Sequence, residues 1–267
     1  MSGLAYYNEC DPYAAEWLRN LLAAGHITPG DVDTRSIVDV RPSDVAGYTR
    51  CHWFAGIGIW DCALGLAGWP AGLPVWTGSC PCQPFSAAGG RSGFADERHL
   101  WPAWYHLVRE CRPAIVLGEQ SASNGALHWL DLVQADLEAA GYACGPVDLC
   151  AIGGEHKRQR LWFVAHADGW DTSSEGLQRG WEHRQQPQDR LARPRREYEW
   201  LVCRDGQRRA VEPGTLPVTH AYPGRLGRVR PYGNAIDAEA AAAFIGAVID
   251  TLSPTPTPGG LAEGGRS

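Results

Sequence analysis

A short apolar run that ends in a glycine loop stands at Arg50-Cys51-His52-Trp53-Phe54-Ala55-Gly56-Ile57-Gly58. Residues 59–66 follow it with helical spacing, so the stretch predicts a strand, a turn and a helix. Similar short apolar runs occur at residues 75–78, 114–117 and 161–165. Each ends at a glycine or runs into a polar motif, a pattern that is typical of buried parallel strands.

Segments of helical spacing lie between these runs, at residues 13–24, 99–110 and 126–140. Strands that alternate with helices indicate an α/β protein with a doubly wound, mostly parallel sheet. Such sheets bind ligands in the crevice at the carboxyl ends of their strands. We therefore look for functional residues directly after the apolar runs.

Three candidate functional positions lie next to the apolar runs. They are Cys82 in Ser79-Cys80-Pro81-Cys82-Gln83-Pro84-Phe85-Ser86, Glu119, and the pair Arg158 and Arg160. A thiol is a strong nucleophile only as the thiolate, which nearby cations stabilise. A buried carboxyl group can protonate or hydrogen-bond the electrophile that the thiolate attacks. Each residue alone is also typical of a structural role, but their joint spacing favours a site that adds a thiolate to an electron-poor ring.

These motifs resemble those of the cytosine-C5 DNA methyltransferase family, and the resemblance covers most of residues 5–250. In that family a Pro-Cys-Gln segment carries the nucleophile, so Cys82 is expected to add to C6 of a flipped-out cytosine. Glu119-Gln120-Ser121 aligns with the family's Glu-Asn-Val, whose acid contacts N3 and the exocyclic amine. Arg158 and Arg160 match the family's paired arginines, which hold the base O2 and position the acid.

The resemblance also implies the S-adenosylmethionine-dependent methyltransferase fold with a small target-recognition lobe. The glycine loop then binds the methyl donor S-adenosylmethionine, and the residues expected to contact it are Phe54, Ala55, Gly56, Ile57 and Gly58. The residues themselves disfavour a dinucleotide site, because Asp61 stands where the third glycine of that fingerprint belongs.

The N-terminal segment Tyr7-Asn8-Glu9-Cys10-Asp11, with the helix predicted at residues 12–24, resembles the family's ribose-binding strand and helix. By this resemblance Glu9 is the ribose-binding acid, and Cys10 lies beside it in the cofactor site. A plainer interpretation is an N-terminal strand followed by an amphipathic helix.

Arg35-Ser36-Ile37 resembles the next family element, which lies near the adenine amine. Ser36 replaces the family's acid, Asp33 is a possible substitute, and Ile37 is kept. Both units precede the glycine loop, so we infer a rearranged chain order in which the same strands become neighbours. Crossover handedness restricts such reordering, and the sequence leaves open which face of the sheet residues 59–66 cover.

Residues 84–98 are rich in Gly, Ala and Ser, which is typical of a mobile lid or of a plain surface connector. By resemblance this lid closes on DNA, and the DNA contacts fall to Gln83, Ser86 and Arg91. Asn234, in the family's Gly-Asn motif, is expected near the cofactor. We predict a catalytic domain at residues 1–168, a target-recognition region at 169–230, a returning helix within 231–252 and a disordered tail at 253–267.

The charge divides unevenly along the chain, whose net charge is −6. Residues 1–155 carry 8 Arg against 17 acidic residues, whereas residues 156–230 carry 15 Lys and Arg against 9 acidic residues. Double-stranded DNA is therefore expected along the second segment, because phosphate neutralisation is local. The small recognition region predicts a target of about two to four base pairs.

Length and composition fit a soluble globular protein of 267 residues, 44% apolar and 20% charged. No apolar stretch is long enough for a membrane helix, and the first residues lack a secretory pattern. We expect a cytoplasmic monomer with reduced cysteines. We expect no metal, because the cysteines lack zinc-ligand spacing.

Three alternatives remain open at this stage. An enzyme like thymidylate synthase also presents a Pro-Cys nucleophile, although the glycine loop argues against it. A tRNA cytosine methyltransferase has a similar fold. A catalytically inactive DNA-binding module is the third. Whether the role is restriction protection, phage genome modification or regulation stays undecided.

Overall fold

The computed structural model describes residues 4–81, 100–122, 124–150, 159–168, 199–202, 208–211 and 235–252. The strands are β1 (Ala5–Asn8), β2 (Gly30–Asp33), β3 (Arg50–Trp53), β4 (Val75–Ser79), β5 (Ile115–Ser121), β6 (Tyr142–Cys150), β7 (Gln159–Ala167), β8 (Glu199–Val202) and β9 (Arg208–Val211). The helices are α1 (Pro12–Ala23), α2 (Ile59–Ala67), α3 (Trp101–Cys111), α4 (Asn124–Ala139) and α5 (Ala238–Leu252), and two 3-10 turns cover Ile37–Asp39 and Pro42–Val45. Of these described helices, none has the length and hydrophobicity required to span a bilayer.

Seven strands form one sheet in the order β2-β1-β3-β4-β5-β7-β6, and β8 pairs with β9 in a separate hairpin. The neighbours from β2 to β5 are parallel. β7 is antiparallel to both β5 and β6, so the prediction of a parallel strand at residues 161–165 is wrong. β7 follows β6 as the second arm of a hairpin and inserts between β6 and β5, which forces the opposite direction.

Helices cover both faces of the sheet. The first face of the sheet is covered by α1, α2 and α5, and the contacts between α2 and α5 centre on Trp60, Leu64 and Phe244. The second face is covered by α3, α4 and the two 3-10 turns, which bury residues such as Trp104, Trp129 and Ile37. The α/β class with a doubly wound, mostly parallel sheet is confirmed.

The N-terminal strand lies inside the sheet, not at its edge. β1 pairs with β2 on one side and with β3, the strand before the glycine loop, on the other. The rearranged order inferred from the sequence is confirmed in this respect, because β1 becomes the neighbour of the glycine-loop strand and β2 lies on the other side of β1.

This arrangement has a topological consequence at α2. The connection from β1 to β2 runs through α1 over the first face, toward the β2 edge of the sheet. The connections from β2 to β3 through the 3-10 turns and from β5 to β6 through α4 run over the second face, toward the β6 edge. A reversal of both face and direction leaves the handedness unchanged, so these three connections share one hand. The connection β3-α2-β4 moves toward β6 over the first face, which is the opposite hand. Because such connections are right-handed in nearly all proteins, the one through α2 is the exceptional, left-handed connection.

The elements predicted from apolar periodicity are confirmed to within a few residues. The returning helix predicted within 231–252 covers 238–252, and β5 extends four residues beyond the predicted run. β6 was not predicted, since it is the exposed edge strand and lacks a continuous apolar run. The domain boundaries at 168 and 230 and the tail at 253–267 fall largely outside the described residues.

Candidate active site

The carboxyl ends of the parallel strands and the amino end of β7 meet at one edge of the sheet. β4 ends at Ser79 beside Glu119 of β5, and Ser121 of β5 pairs with Arg160 at the start of β7. The antiparallel direction of β7 is what brings Arg160 to this edge, because a parallel strand would have delivered its last residues there instead. Two of the predicted catalytic residues therefore lie together.

Glu119 and Arg160 form an ion pair across β5 and β7. The Nε atom of Arg160 lies 2.8 Å from Oε1 of Glu119, and the Glu119 side chain is only 7% exposed. A charge-assisted bond of this length to a buried carboxylate is strong and holds the carboxylate in one orientation. The pair can present a fixed acid to a ligand at the strand ends.

Two buried side chains contact the end of β4, directly before Cys82 in the sequence. The indole Nε1 of Trp60 donates to Oγ of Ser79 at 3.0 Å, and Nε2 of Gln120 donates to the Cys80 carbonyl at 3.2 Å. Sequence reasoning gave neither side chain a role. Gln120 carried a signal, since it stands directly after the candidate acid and departs from the family motif.

The glycine loop takes a left-handed backbone at alternate residues. Phe54, Gly56 and Gly58 have φ values of 53°, 57° and 83°, and a non-glycine residue in this region is strained. A Cβ on Gly56 would meet nothing nearer than the Phe54 carbonyl at 4.0 Å, whereas a Cβ on Gly58 would lie 3.1 Å from Leu18 of α1. Gly56 therefore leaves open space for a ligand, and Gly58 permits α1 to pack against the loop.

The non-glycine residues of the glycine loop, Phe54, Ala55 and Ile57, differ in burial. Ala55 and Ile57 are buried at 6% and 8% exposure. Phe54 is half-buried, with its ring edge-on to Trp104 at 6.0 Å between centroids. Among these predicted cofactor contacts, Phe54 and Gly56 have the accessible positions.

Glu9 connects the loop after β1 to the glycine loop. Its carboxylate accepts the Gly56 N–H at 2.7 Å and the Asp11 N–H at 2.8 Å. Burial raises the pKa of Glu9, and the two N–H bonds only partly oppose that rise. The predicted ribose-binding acid thus lies against the glycine loop, and Cys10 beside it is exposed.

The loop after β2 lies next to these two. The buried Asn8 donates to the Arg35 carbonyl at 2.9 Å, which holds this loop beside β1. The Asp33 carboxylate accepts from Arg35 and from the Tyr6 hydroxyl, so it is engaged within the protein. Ser36 precedes the first 3-10 turn and is partly exposed, and Ile37 is buried in the core on the second face.

A buried polar network lies beneath the glycine loop. Asp61 of α2 accepts from Arg50 at 3.0 Å and from the Thr28 N–H at 2.7 Å, and His52 Nε2 lies 3.3 Å from its Oδ1. Burial by itself would raise the pKa of Asp61, but the contacts with His52, Thr28 and Arg50 outweigh it and hold the pKa well below its usual range. Asp61 stands where the dinucleotide fingerprint has its third glycine, and its contacts with Arg50 and His52 of β3 anchor α2 to the first face of the sheet.

Several predicted site residues lie outside the described residues: Cys82, Gln83, Ser86, Arg91, Arg158 and Asn234. Their roles stay predictions. Within the described ranges, no group of three or more His, Cys, Asp or Glu side chains is placed to hold a metal ion.

A family model described as "C-5 cytosine-specific DNA methylase" matches residues 72–210, just over half of the chain. The chain is 35% identical over 97 residues to the Type II methyltransferase M.CviJI of Paramecium bursaria Chlorella virus IL3A, covering 35% of this chain and 26% of that protein. It is 31% identical over 103 residues to the Type II methyltransferase M.AplI of Arthrospira platensis (strain NIES-39 / UTEX 3086 / IAM M-135), covering 36% and 29%. The chain thus spans less than a third of the length of either relative.

Among solved structures, the crystal structure of the S. pombe Dnmt2 methyltransferase is similar with a TM-score of 0.47 and 13% sequence identity. The similarity covers 93% of this chain and 99% of that chain.

Proposed function

The chain belongs to the C-5 cytosine-specific DNA methylase family, and we propose that it transfers a methyl group from S-adenosylmethionine to C5 of a cytosine in duplex DNA. The observation that carries the proposal is the ion pair between the buried Glu119 and Arg160, which lies beside the end of β4, three residues before Cys82. An acid held by a cation next to a Pro-Cys segment suits nucleophilic addition to a pyrimidine ring.

In the proposed reaction the Cys82 thiolate attacks C6 of the flipped cytosine, and a bond forms between Sγ and C6. The electron pair of the C5–C6 double bond shifts toward C4, and that of the C4–N3 double bond shifts onto N3. There the protonated form of Glu119 would donate a hydrogen bond that stabilises the added charge. This makes C5 a nucleophile. C5 would then take the methyl group, and the sulfonium that carried it would be released as a neutral thioether. The C5 proton leaves to a base, the double bond returns and the C6–S bond breaks to release the thiolate.

The arginines have supporting roles in this proposal. Arg160 holds Oε1 of Glu119 through its Nε atom, so the acid does not need to reorganise when the ring arrives. Arg158, two residues earlier, is proposed to contact O2 of the base. Both positive charges also favour the thiolate over the thiol at Cys82.

The residues at the ends of β1 and β3 fit S-adenosylmethionine. Gly56 has open space at its Cβ position, and Glu9 accepts only two hydrogen bonds within the described residues although a carboxylate can accept about four. Glu9 would bind the ribose hydroxyls, and Phe54, Gly56, Ser36 and Asn234 would complete the site. When bound, the cofactor supplies an electrophilic methyl group on a sulfonium.

Recognition of DNA is assigned to residues 169–230 together with Gln83, Ser86 and Arg91. The Lys and Arg excess of residues 156–230 supports this assignment. We propose a target of about two to four base pairs, because a compact module reads few of them. Base-resolution mapping that returned a six-base target would contradict this part.

The test is transfer of labelled methyl from S-adenosylmethionine to duplex DNA, followed by mapping of 5-methylcytosine at base resolution. We expect modification at one short motif, and we expect Cys82→Ser to lose transfer while it keeps DNA binding. Cys144→Ser is the matched control, since Cys144 pairs with Ala165 on β7, away from the strand ends that carry the site. Turnover by the Cys82→Ser variant, or transfer to tRNA but not to duplex DNA, would contradict the proposal, and binding without transfer would favour an inactive module.

A further inference from the structure

We propose that Trp60 and Gln120 are positioning residues that hold the segment before Cys82 from two sides. Trp60 binds the Ser79 side chain at 3.0 Å, and Gln120 binds the carbonyl of the next residue, Cys80, at 3.2 Å. Both bonds therefore act on consecutive residues at the point where the chain leaves β4. The inference rests on the proposed function, because it assigns Cys82 as the nucleophile.

The two donors come from different parts of the site. Trp60 is the second residue of α2 and follows the glycine loop directly, whereas Gln120 follows the acid Glu119 on β5. The segment that precedes the nucleophile is thus bound to the element that carries the cofactor loop and to the strand that carries the acid. A displacement of either element would displace Ser79 and Cys80 with it.

Burial makes these bonds persistent. Trp60 and Gln120 are each only 2% exposed, so neither donor can exchange its partner for bulk water. A buried donor that loses its partner is costly. The Oε1 atom of Gln120 also accepts the Ser121 N–H at 2.9 Å, which fixes the amide so that its Nε2 atom faces Cys80.

Trp60 also packs edge-on against Trp162, with 5.5 Å between the ring centroids. A purely structural role would therefore make stability, cofactor affinity and transfer change together. A positioning role would lower the rate of the chemical step and leave cofactor affinity unchanged. Ser79→Ala and Gln120→Met change the size of the side chain little, whereas Trp60→Phe replaces the indole by a smaller ring. Gln120→Met also removes the acceptor of the Ser121 N–H.

We would measure single-turnover methyl transfer and S-adenosylmethionine affinity in Trp60→Phe, Ser79→Ala and Gln120→Met. The transfer rate is expected to fall about tenfold in each, since small displacements of reacting groups are costly, with cofactor affinity within about twofold of wild type. Trp60→Phe and Ser79→Ala remove the same bond, so their double variant should be no slower than either single one. Gln134→Met, at a half-buried glutamine of α4 that bonds only to Glu138 of the same helix among the described contacts of its side chain, is the control and should retain the wild-type rate.

A second measurement does not depend on DNA activity. Alkylation of each cysteine by iodoacetamide is followed by peptide mass spectrometry in the absence of DNA. We expect Cys82 to react at least about threefold faster in Trp60→Phe and Gln120→Met, because a released segment opens to solvent more often. The exposed Cys10 should react at an unchanged rate.

The two measurements separate the inference from the proposed function. Absence of transfer by the wild-type protein would contradict the proposed function, and the alkylation rates would still decide whether the segment is held. Wild-type rates of transfer and of Cys82 alkylation in both variants would overturn the inference. So would a loss of cofactor affinity that matches the loss of transfer.

Discussion

The two halves of the sheet reach the same edge by different chain orders. From β4 onward the chain continues toward the β6 edge of the sheet, and the nucleophile segment, the acid and the arginine follow one another in that order. In the half that contains β1, β2 and β3, the strand that precedes Glu9 comes earlier in the chain than the strand that precedes the glycine loop. These two strands, β1 and β3, are neighbours in the sheet. The site therefore depends on which strand ends are neighbours in space, and the altered order leaves one left-handed connection through α2.

The largest expected effect comes from breaking the anchor of that connection. Asp61→Ala leaves Arg50 buried without its counter-charge, and such losses cost about 3–5 kcal/mol. We expect the free energy of unfolding, measured by urea denaturation, to fall by about this amount. Asp131→Ala, at an exposed helix position, should change it by less than about 0.5 kcal/mol. Equal effects of the two variants would show that the network does not anchor α2.

In the other half, Glu119→Gln should act on catalysis. The variant keeps the shape of the side chain but removes its charge and its ion pair with Arg160. We expect methyl transfer to fall about 10²–10³-fold. The matched control is Glu110→Gln, at an exposed end of α3, and it should transfer at the wild-type rate. A variant Glu119→Gln with more than half of the wild-type rate would remove Glu119 from the mechanism.

Acid should weaken the half that contains Asp61. The pKa of Asp61 is lowered in the folded protein, so its contribution is complete above the unfolded value of about 3.9 and is lost as the pH falls toward the folded value. We expect the free energy of unfolding to decline below about pH 4. In Asp61→Ala this decline should be shallower. An identical pH dependence in the two proteins would contradict the assignment.

A smaller effect is expected at the contact between β1 and the glycine loop. Glu9→Gln keeps one acceptor oxygen but weakens the bond to the Gly56 N–H, and we expect S-adenosylmethionine affinity to fall about tenfold. Burial raises the pKa of Glu9, so Glu9 takes up a proton at a higher pH than an ordinary glutamate does. As the pH falls, the S-adenosylmethionine affinity of the wild-type protein should therefore begin to weaken at that higher pH. Calorimetric titration from pH 8 to 5 measures both. Glu16→Gln, on the exposed side of α1, should bind as the wild type does.

The smallest effect should come from changing the chain order itself. A chain in the order 50–74, 4–49, 75–267, with a short Gly-Ser linker at each junction, would make the connection to β4 right-handed. The ends to be joined are close, since Thr49 donates to the Leu4 carbonyl and accepts from Val75, both at 3.0 Å. We expect the free energy of unfolding to change by less than about 1 kcal/mol, because surface junctions tolerate reordering. Failure to fold would mean that the left-handed connection is itself required.

The sequence predicted much of the site, and the reasons for its failures are physical. The glycine loop, Glu9, Glu119 and Arg160 could be singled out as candidates because glycines, carboxylates and guanidinium groups have chemistry that their neighbours in sequence make recognisable. Trp60 and Asn8 were missed because their function is a hydrogen bond to a residue distant in sequence. Nothing local marks such a partner.

Apolar periodicity and glycine positions determined the strands and helices, since both reflect how each short segment meets the core. The direction of β7 and the face covered by α2 were decided by packing between distant segments. The apolar pattern of Leu161 and Phe163 is the same in a parallel and an antiparallel strand, so it could not choose the direction. The antiparallel direction of β7 places Arg160 against Glu119, the acid of the candidate site.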